Sequence, residues 1–198
     1  MLRKPASFHR AVDKTMSKII SLFLSISGCC LLASCETATP QTYFEVAVLN
    51  CNLMHGFAGR GLASELESPS VKLSETGNGE TVPIKRKEII DGKIQSLEAN
   101  LAKVKGLKQT DDNRDMLEAS VALYEYVLPV YKNEYRALAN LYDEGAARER
   151  MDAMVSSIET KYRDGFGTRF DRLTAVAKPY AERHQINVKW DIQTAPSS

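Results

Sequence analysis

The chain has 198 residues, enough for one domain plus a targeting segment and too few for two domains of ordinary size. Its 43% hydrophobic and 26% charged residues are the proportions of a globular protein and exclude wholesale disorder. The formal net charge is +1, but Arg3, Lys4, Arg10, Lys14 and Lys18 lie in residues 1–34 against Asp13 alone; 26 less 5 and 25 less 1 leave 21 basic and 24 acidic residues beyond, a net of −3, and such a mildly acidic body excludes a nucleic-acid partner.

From the N-terminus, Ile19–Ala33 reads IISLFLSISGCCLLA, an apolar run preceded by basic residues and followed by small ones. That is the layout of a secretory signal peptide. A spanning helix needs about 20 apolar residues, and Ser25, Ser27 and Gly28 interrupt this run. Met16-Ser17-Lys18 offers a second, shorter start for the same leader. At the end of the run stand Leu32-Ala33-Ser34-Cys35. This tetrapeptide resembles the lipobox of bacterial lipoproteins, an aliphatic residue and two small ones before an acceptor cysteine. The resemblance implies cleavage between Ser34 and Cys35 and lipid on the Cys35 thiol, hence a membrane as partner and a cell-envelope location. Two or three acyl chains, at about 0.8 kcal/mol per buried methylene, make such an anchor effectively permanent. By the same resemblance an Asp after the cysteine retains the protein at the inner membrane, so Glu36 favours the outer one, with the periplasmic or the surface face left open. Cys29 and Cys30 fall in the leader, leaving Cys51 as the one thiol after Cys35, so no intramolecular disulfide is expected.

Residues 1–34 thus form the leader, 35–42 a short polar tether containing Pro40, and 43–198 the body. Four apolar segments make up that body. Tyr43 to about Leu66 is apolar enough to be buried on a wide face, with Gly56, Gly59 and Gly61 weakening its second half. Ser68–Pro83, holding Gly77-Asn78-Gly79, is expected to be a loop without regular structure. Ile90, Ile94, Leu97, Leu101 and Val104 are spaced by four and three and predict a helix over about 84–106, closed by Gly106. Thr110-Asp111-Asp112 starts the next, whose stripe of Leu117, Val121, Tyr124, Leu128, Tyr131, Tyr135, Leu138 and Tyr142 needs about 30 residues and ends at Gly145. Met151, Val155, Ile158, Tyr162, Phe166, Phe170, Leu173, Ala177 and Tyr180 mark a fourth helix. Pro129 and Pro179 are read as kinks, since the apolar period continues on both sides of each. Ile186–Ile192 is the one extended candidate, a terminal strap carrying the sole tryptophan, Trp190. The expected fold is all-α, an antiparallel up-down bundle of about four helices with an extended tail.

The mature chain lacks a P-loop, a Gly-x-Ser-x-Gly elbow, a Ser-x-x-Lys motif and a His-Glu-x-x-His motif, so no enzyme activity is expected. Gly59-x-Gly61, Gly77-x-Gly79 and Gly165-x-Gly167 read as turn or kink residues. Cys51 and His55, four apart, would share one helix face, but two ligands do not make a metal site, and a buried thiol is the commoner reading. Met54 with His184 would resemble the axial pair of a four-helix cytochrome, though no Cys-x-x-Cys-His motif accompanies them. No cofactor is expected; a haem- or metal-binding periplasmic bundle is the alternative. Tyr124, Tyr131, Tyr135 and Tyr142 follow steps of seven, four and seven and could line a ligand or partner face, although the leucines of the same stripe favour their filling the core. Lys85-Arg86-Lys87-Glu88 and Arg148-Glu149-Arg150 read as solvated faces.

Over about 43–190 the motifs Tyr43-Phe44, Leu123-Tyr124 to Tyr135, and Phe170 to Trp190 resemble a loosely defined family of small, all-helical surface or periplasmic bacterial lipoproteins without assigned function. The resemblance implies fold and location alone and carries no catalytic residues. A non-enzymatic binding or structural envelope protein is the expectation, with an envelope protein or polymer as partner.

Overall fold

Thr39 sets the start of the first helix. Its hydroxyl accepts the backbone N–H of Thr42 at 3.1 Å, and Pro40 stands in the first turn, where a missing N–H costs nothing. The computed structural model describes residues 38–68 and 71–190, and in it helix α1 runs Pro40–Ala47. Ser34, Cys35 and the strap's last residues, 191–192, lie outside the described residues. The tether expected over residues 35–42 is shorter than its composition suggested, because Pro40 starts a helix in this position rather than breaking one.

The apolar segment up to Leu66 is divided. A 3-10 helix spans Leu49–Met54, a turn comes next, and α2 spans Arg60–Glu67. The division has a local cause at Gly56, where φ is +77° and a Cβ would meet the Leu62 amide nitrogen at 2.8 Å. Ala58, also left-handed at φ +48°, is held by the Tyr135 hydroxyl, which accepts its N–H at 2.8 Å, and by Arg163, which donates to its carbonyl at 3.3 Å.

Residues 68–83 correct the expectation of a structureless loop. Val71–Leu73 (β1) and Thr81–Pro83 (β2) pair antiparallel, Val71 opposite Pro83 and Leu73 opposite Thr81. Gly77 and Gly79, both at positive φ, carry the chain round, and the Ser74 N–H closes the loop on the Glu80 carbonyl at 2.7 Å. Both strands are exposed. They are short, with Lys72 and Pro83 on them, and so make poor templates for further strand addition.

Helix α3, Arg86–Gly106, buries Ile90, Ile94, Leu97 and Val104 as the spacing predicts, with Leu101 half-buried beside them. Lys85 gives it no side-chain cap; instead, Asp143 accepts the backbone N–H groups of Arg86 and Lys87 at 2.8 and 3.0 Å. Buried Asn113 orders the next connection, accepting the Thr110 N–H and donating to the Lys108 carbonyl. Then come α4 (Arg114–Val130), a π-helical turn (Tyr131–Tyr135) and α5 (Arg136–Asp143) in unbroken succession. Pro129 is succeeded by the π turn, where one residue is absorbed in place of a sharp break. Gly145 at φ +67° ends the run as expected, with the Ala146 N–H returning to the Leu141 carbonyl at 2.9 Å.

Helix α6 spans Arg148–Arg183 without interruption at Pro179. Pro129 and Pro179 both sit on exposed positions, and so do Glu125 and Ala175 four residues earlier, where water can satisfy the released carbonyls. Gly165 lies inside this helix, where a Cβ would collide with the Tyr126 hydroxyl; its bare backbone makes room for the Tyr126 side chain, whose hydroxyl donates to the Tyr162 carbonyl and whose ring lies under the Arg169 guanidinium. All these helices contribute to one core, including Phe44, Met54, Leu66, Ile90, Leu123 and Leu173. The described residues are thus all-α in class, with one small hairpin added.

Candidate functional site

The tyrosine row is the first candidate, and the structure turns most of it inward. Tyr124, Tyr131 and Tyr135 are 0%, 0% and 2% exposed, while Tyr142 is half-buried at the rim. An open ligand or partner face along Tyr124, Tyr131, Tyr135 and Tyr142 is therefore corrected: the first three belong to the core, covered by Phe57 and the helices around it, and Tyr142 stands alone at its edge. Tyr131 and Tyr135 stack at 5.1 Å between centroids, and Phe57 lies 5.7 and 5.9 Å from them. The hydroxyls do not reach the rim either. That of Tyr131 is buried without a hydrogen-bond partner, that of Tyr124 faces the Cys51 thiol, and that of Tyr135 holds Ala58. Burial pushes the Tyr135 phenol up to about 12 and those of Tyr124 and Tyr131 higher still.

Cys51 and His55 part company. Cys51 lies buried on the 3-10 helix and His55 is exposed beyond it, so the shared face expected of one continuous helix is absent. The Cys51 thiol donates to the Ala47 carbonyl at 3.4 Å, the same oxygen that accepts the Ser120 hydroxyl at 2.7 Å. Both satisfy a carbonyl that α1 leaves open at its end. Burial raises the thiol to about 12, which keeps it protonated and removes it from thiolate chemistry. Met54 is 1% exposed in the core, whereas His184 stands just past the end of α6 and meets Asp112 at 2.5 Å. Each is committed to a different neighbourhood, so the residues present do not fit a haem axial pair. Among the described residues, no three His, Cys, Asp or Glu side chains gather as a metal site would require.

Two features of the tertiary structure gain importance in their place. Asp112, just before α4, binds Arg183 Nη2 at 2.8 Å as well as His184, joining the end of α6 to the start of α4. The His184 hydrogen bond first and the Arg183 contacts next hold the Asp112 carboxyl below the usual range. Beside this clasp opens a groove of about 450 Å³ whose floor includes Met116, Val176 and Pro179. Past the clasp, Gln185 turns the chain at φ +55°, and the Ile186 N–H bonds the Ala181 carbonyl at 2.8 Å, closing α6. Ile186, Val188 and Trp190 are then half-buried while Gln185, Asn187 and Lys189 are exposed. The alternation of Ile-x-Val-x-Trp was visible in the sequence; the surface beneath it was not. Trp190 packs T-shaped with Phe44 of α1, ring centroids 5.8 Å apart, and the Lys178 ammonium of α6 lies 5.6 Å from the centroid of the indole.

No protein-family model matches the chain, no curated protein matches it, and no solved structure matches it.

Proposed function

We propose that the chain is a membrane-anchored bacterial lipoprotein that acts as a non-enzymatic binding or structural component of the cell envelope, outer membrane favoured. The observation that carries this reading is Leu32-Ala33-Ser34-Cys35 at the end of an apolar run, with the Thr39-capped start of a folded body only a few residues later. No helix among the described residues is long and apolar enough to cross a membrane, so lipid on Cys35 supplies the attachment in this proposal. The body it carries is proposed to be an antiparallel up-down bundle. In support, the start of α3 bonds the end of α5 through Asp143, and the end of α6 bonds the start of α4 through Asp112, each pairing opposite ends of sequence-separated helices.

The test is the intact mass of the exported protein from its native host. A mass equal to the chain from Cys35 plus diacylglycerol, lost together with membrane association on Cys35→Ser, is the expected result. An uncut, unacylated chain recovered in the soluble fraction overturns the anchor. The binding role is tested by cross-linking in intact envelopes, which is expected to recover a defined protein or polymer on the body.

A further inference from the structure

Three segments distant in the chain meet at one pole of the body. The Tyr180 hydroxyl, in the last turn of α6, donates to the carbonyl of Pro40, the first residue of α1, at 3.4 Å. Asp112, on the connection from α3 to α4, binds Arg183 and His184 at the end of α6. This pole is thus built from the start of α1, residues 107–113 and the end of α6. The opposite pole is tied in the same way. Asp143 at the end of α5 accepts the first N–H groups of α3, and Glu67 at the end of α2 binds Arg148 at the start of α6 at 3.3 Å. The β1–β2 hairpin belongs to that second pole, its Lys72 ammonium on Glu88 in the first turn of α3 at 2.7 Å. Helix α6 joins the two poles, and its 36 residues, at about 1.5 Å each, hold them about 54 Å apart.

The polypeptide enters the body from beyond the first pole. Helix α1 starts there, with Pro40 on Tyr180, and runs away from it, so that the Ala47 carbonyl meets Ser120 nearly two turns into α4. From Cys35 to Thr39 there are four residue steps, which span at most about 14 Å whatever their course. We propose that the body stands on the membrane on this pole, seated against the lipid headgroups, and holds the hairpin about 50 Å out from the bilayer surface. The chemistry of the pole suits a headgroup layer: Thr39, Gln41, Lys108, Gln109, Asp111 and Gln185 are exposed there, polar and with charges of both signs. No exposed large apolar side chain lies in these segments, so the pole rests on the headgroups and does not enter the acyl chains. The exposed Val71 and Leu73 of β1 lie at the far pole, out of reach of the lipid and open to other components of the envelope. This inference rests on lipid at Cys35 and adds which end of the body meets the bilayer.

The test places a fluorophore at either pole. Acylated protein carrying Gln109→Cys or Glu75→Cys is labelled with a thiol-reactive dye and reconstituted in phosphatidylcholine vesicles that contain a lipid with a nitroxide on its headgroup. Both positions are exposed, Cys51 is buried and Cys35 is blocked by its lipid, so the dye goes to the introduced thiol. Helical circular dichroism verifies the fold of each variant. The expected result is nitroxide quenching several-fold stronger at position 109 than at position 75. Equal quenching at the two positions would show a body lying along the bilayer, stronger quenching at 75 would put the hairpin on the lipid, and quenching at neither would show a body standing clear of the surface; each overturns the proposal. The intact mass of the same sample separates this failure from the other: acyl groups present with the wrong quenching pattern overturn the orientation alone, whereas a chain without acyl groups overturns the anchor and the orientation with it.

Discussion

Three tyrosines of similar burial do different work, and the difference lies in a single oxygen. The Tyr135 hydroxyl accepts the N–H of Ala58, a residue in a left-handed conformation that its own side chain does not favour; the Tyr124 hydroxyl faces the Cys51 thiol, and that of Tyr131 is buried with no partner. Removing an oxygen that satisfies a buried donor costs about 1–3 kcal/mol, while removing one that satisfies nothing relieves an uncompensated desolvation. Tyr135→Phe is therefore expected to lower the unfolding free energy by about that amount, and Tyr131→Phe to leave it unchanged or raise it, as read from urea melts of the two variants. Equal losses in both would contradict the assignment. The same residues show how far a stripe can be read. Steps of seven, four and seven put Tyr124, Tyr131 and Tyr135 on one face, yet whether that face lines a groove or fills a core depended on Phe57, which arrives from another segment.

At the level of elements, helix α3 borrows its cap. Its first turn contains no side chain that bonds its open N–H groups, and Asp143, 57 positions on from Arg86, bonds two of them. The carboxylate also places negative charge at the positive end of the α3 dipole. Asp143→Ala is expected to cost about 1 kcal/mol, within the range of lost N-caps, and to speed amide exchange in the first turn of α3 before any other segment. Protection that falls evenly across the molecule would show that Asp143 supports something other than this helix start. Helices α3, α4–α5 and α6 were legible because each keeps one apolar stripe over many turns. The division of residues 43–66 and the hairpin at 71–83 were not. There the signals were glycines, and a glycine reads equally as a weak helix position, a loop or a turn until its φ is known. Gly165 makes the same point inside a helix, where its lack of a side chain serves Tyr126.

For the molecule as a whole, the acids buried in the core set an alkaline limit. Cys51 and Tyr135 are raised to about 12, and Tyr124 and Tyr131 are raised further, in each case chiefly by burial. A group whose folded value is raised contributes stability fully below its unfolded value and loses it as pH climbs through the folded one. Unfolded thiols and phenols titrate near about 8.5 and about 10, so stability is expected to hold to roughly pH 8.5 and then fall steeply toward pH 12. Thermal melts across that range check it, and Cys51→Ala should remove the earliest part of the decline. A melting temperature that stays level between pH 9 and 12 would mean that these groups are not buried together as described.

By itself the amino-acid sequence carried the expectation of a lipidated leader, and it determined the periods of the long helices, their glycine end at Gly145, and the alternating pattern of the terminal strap, since each is a local pattern written in consecutive residues. Only the tertiary structure decided which carboxylate caps α3, which tyrosine hydroxyl has a partner, that Cys51 and His55 face different surroundings, and what lies beneath Trp190. Those outcomes depend on residues distant in the chain meeting at hydrogen-bonding or van der Waals distance, and such meetings leave no mark on the spacing of either partner.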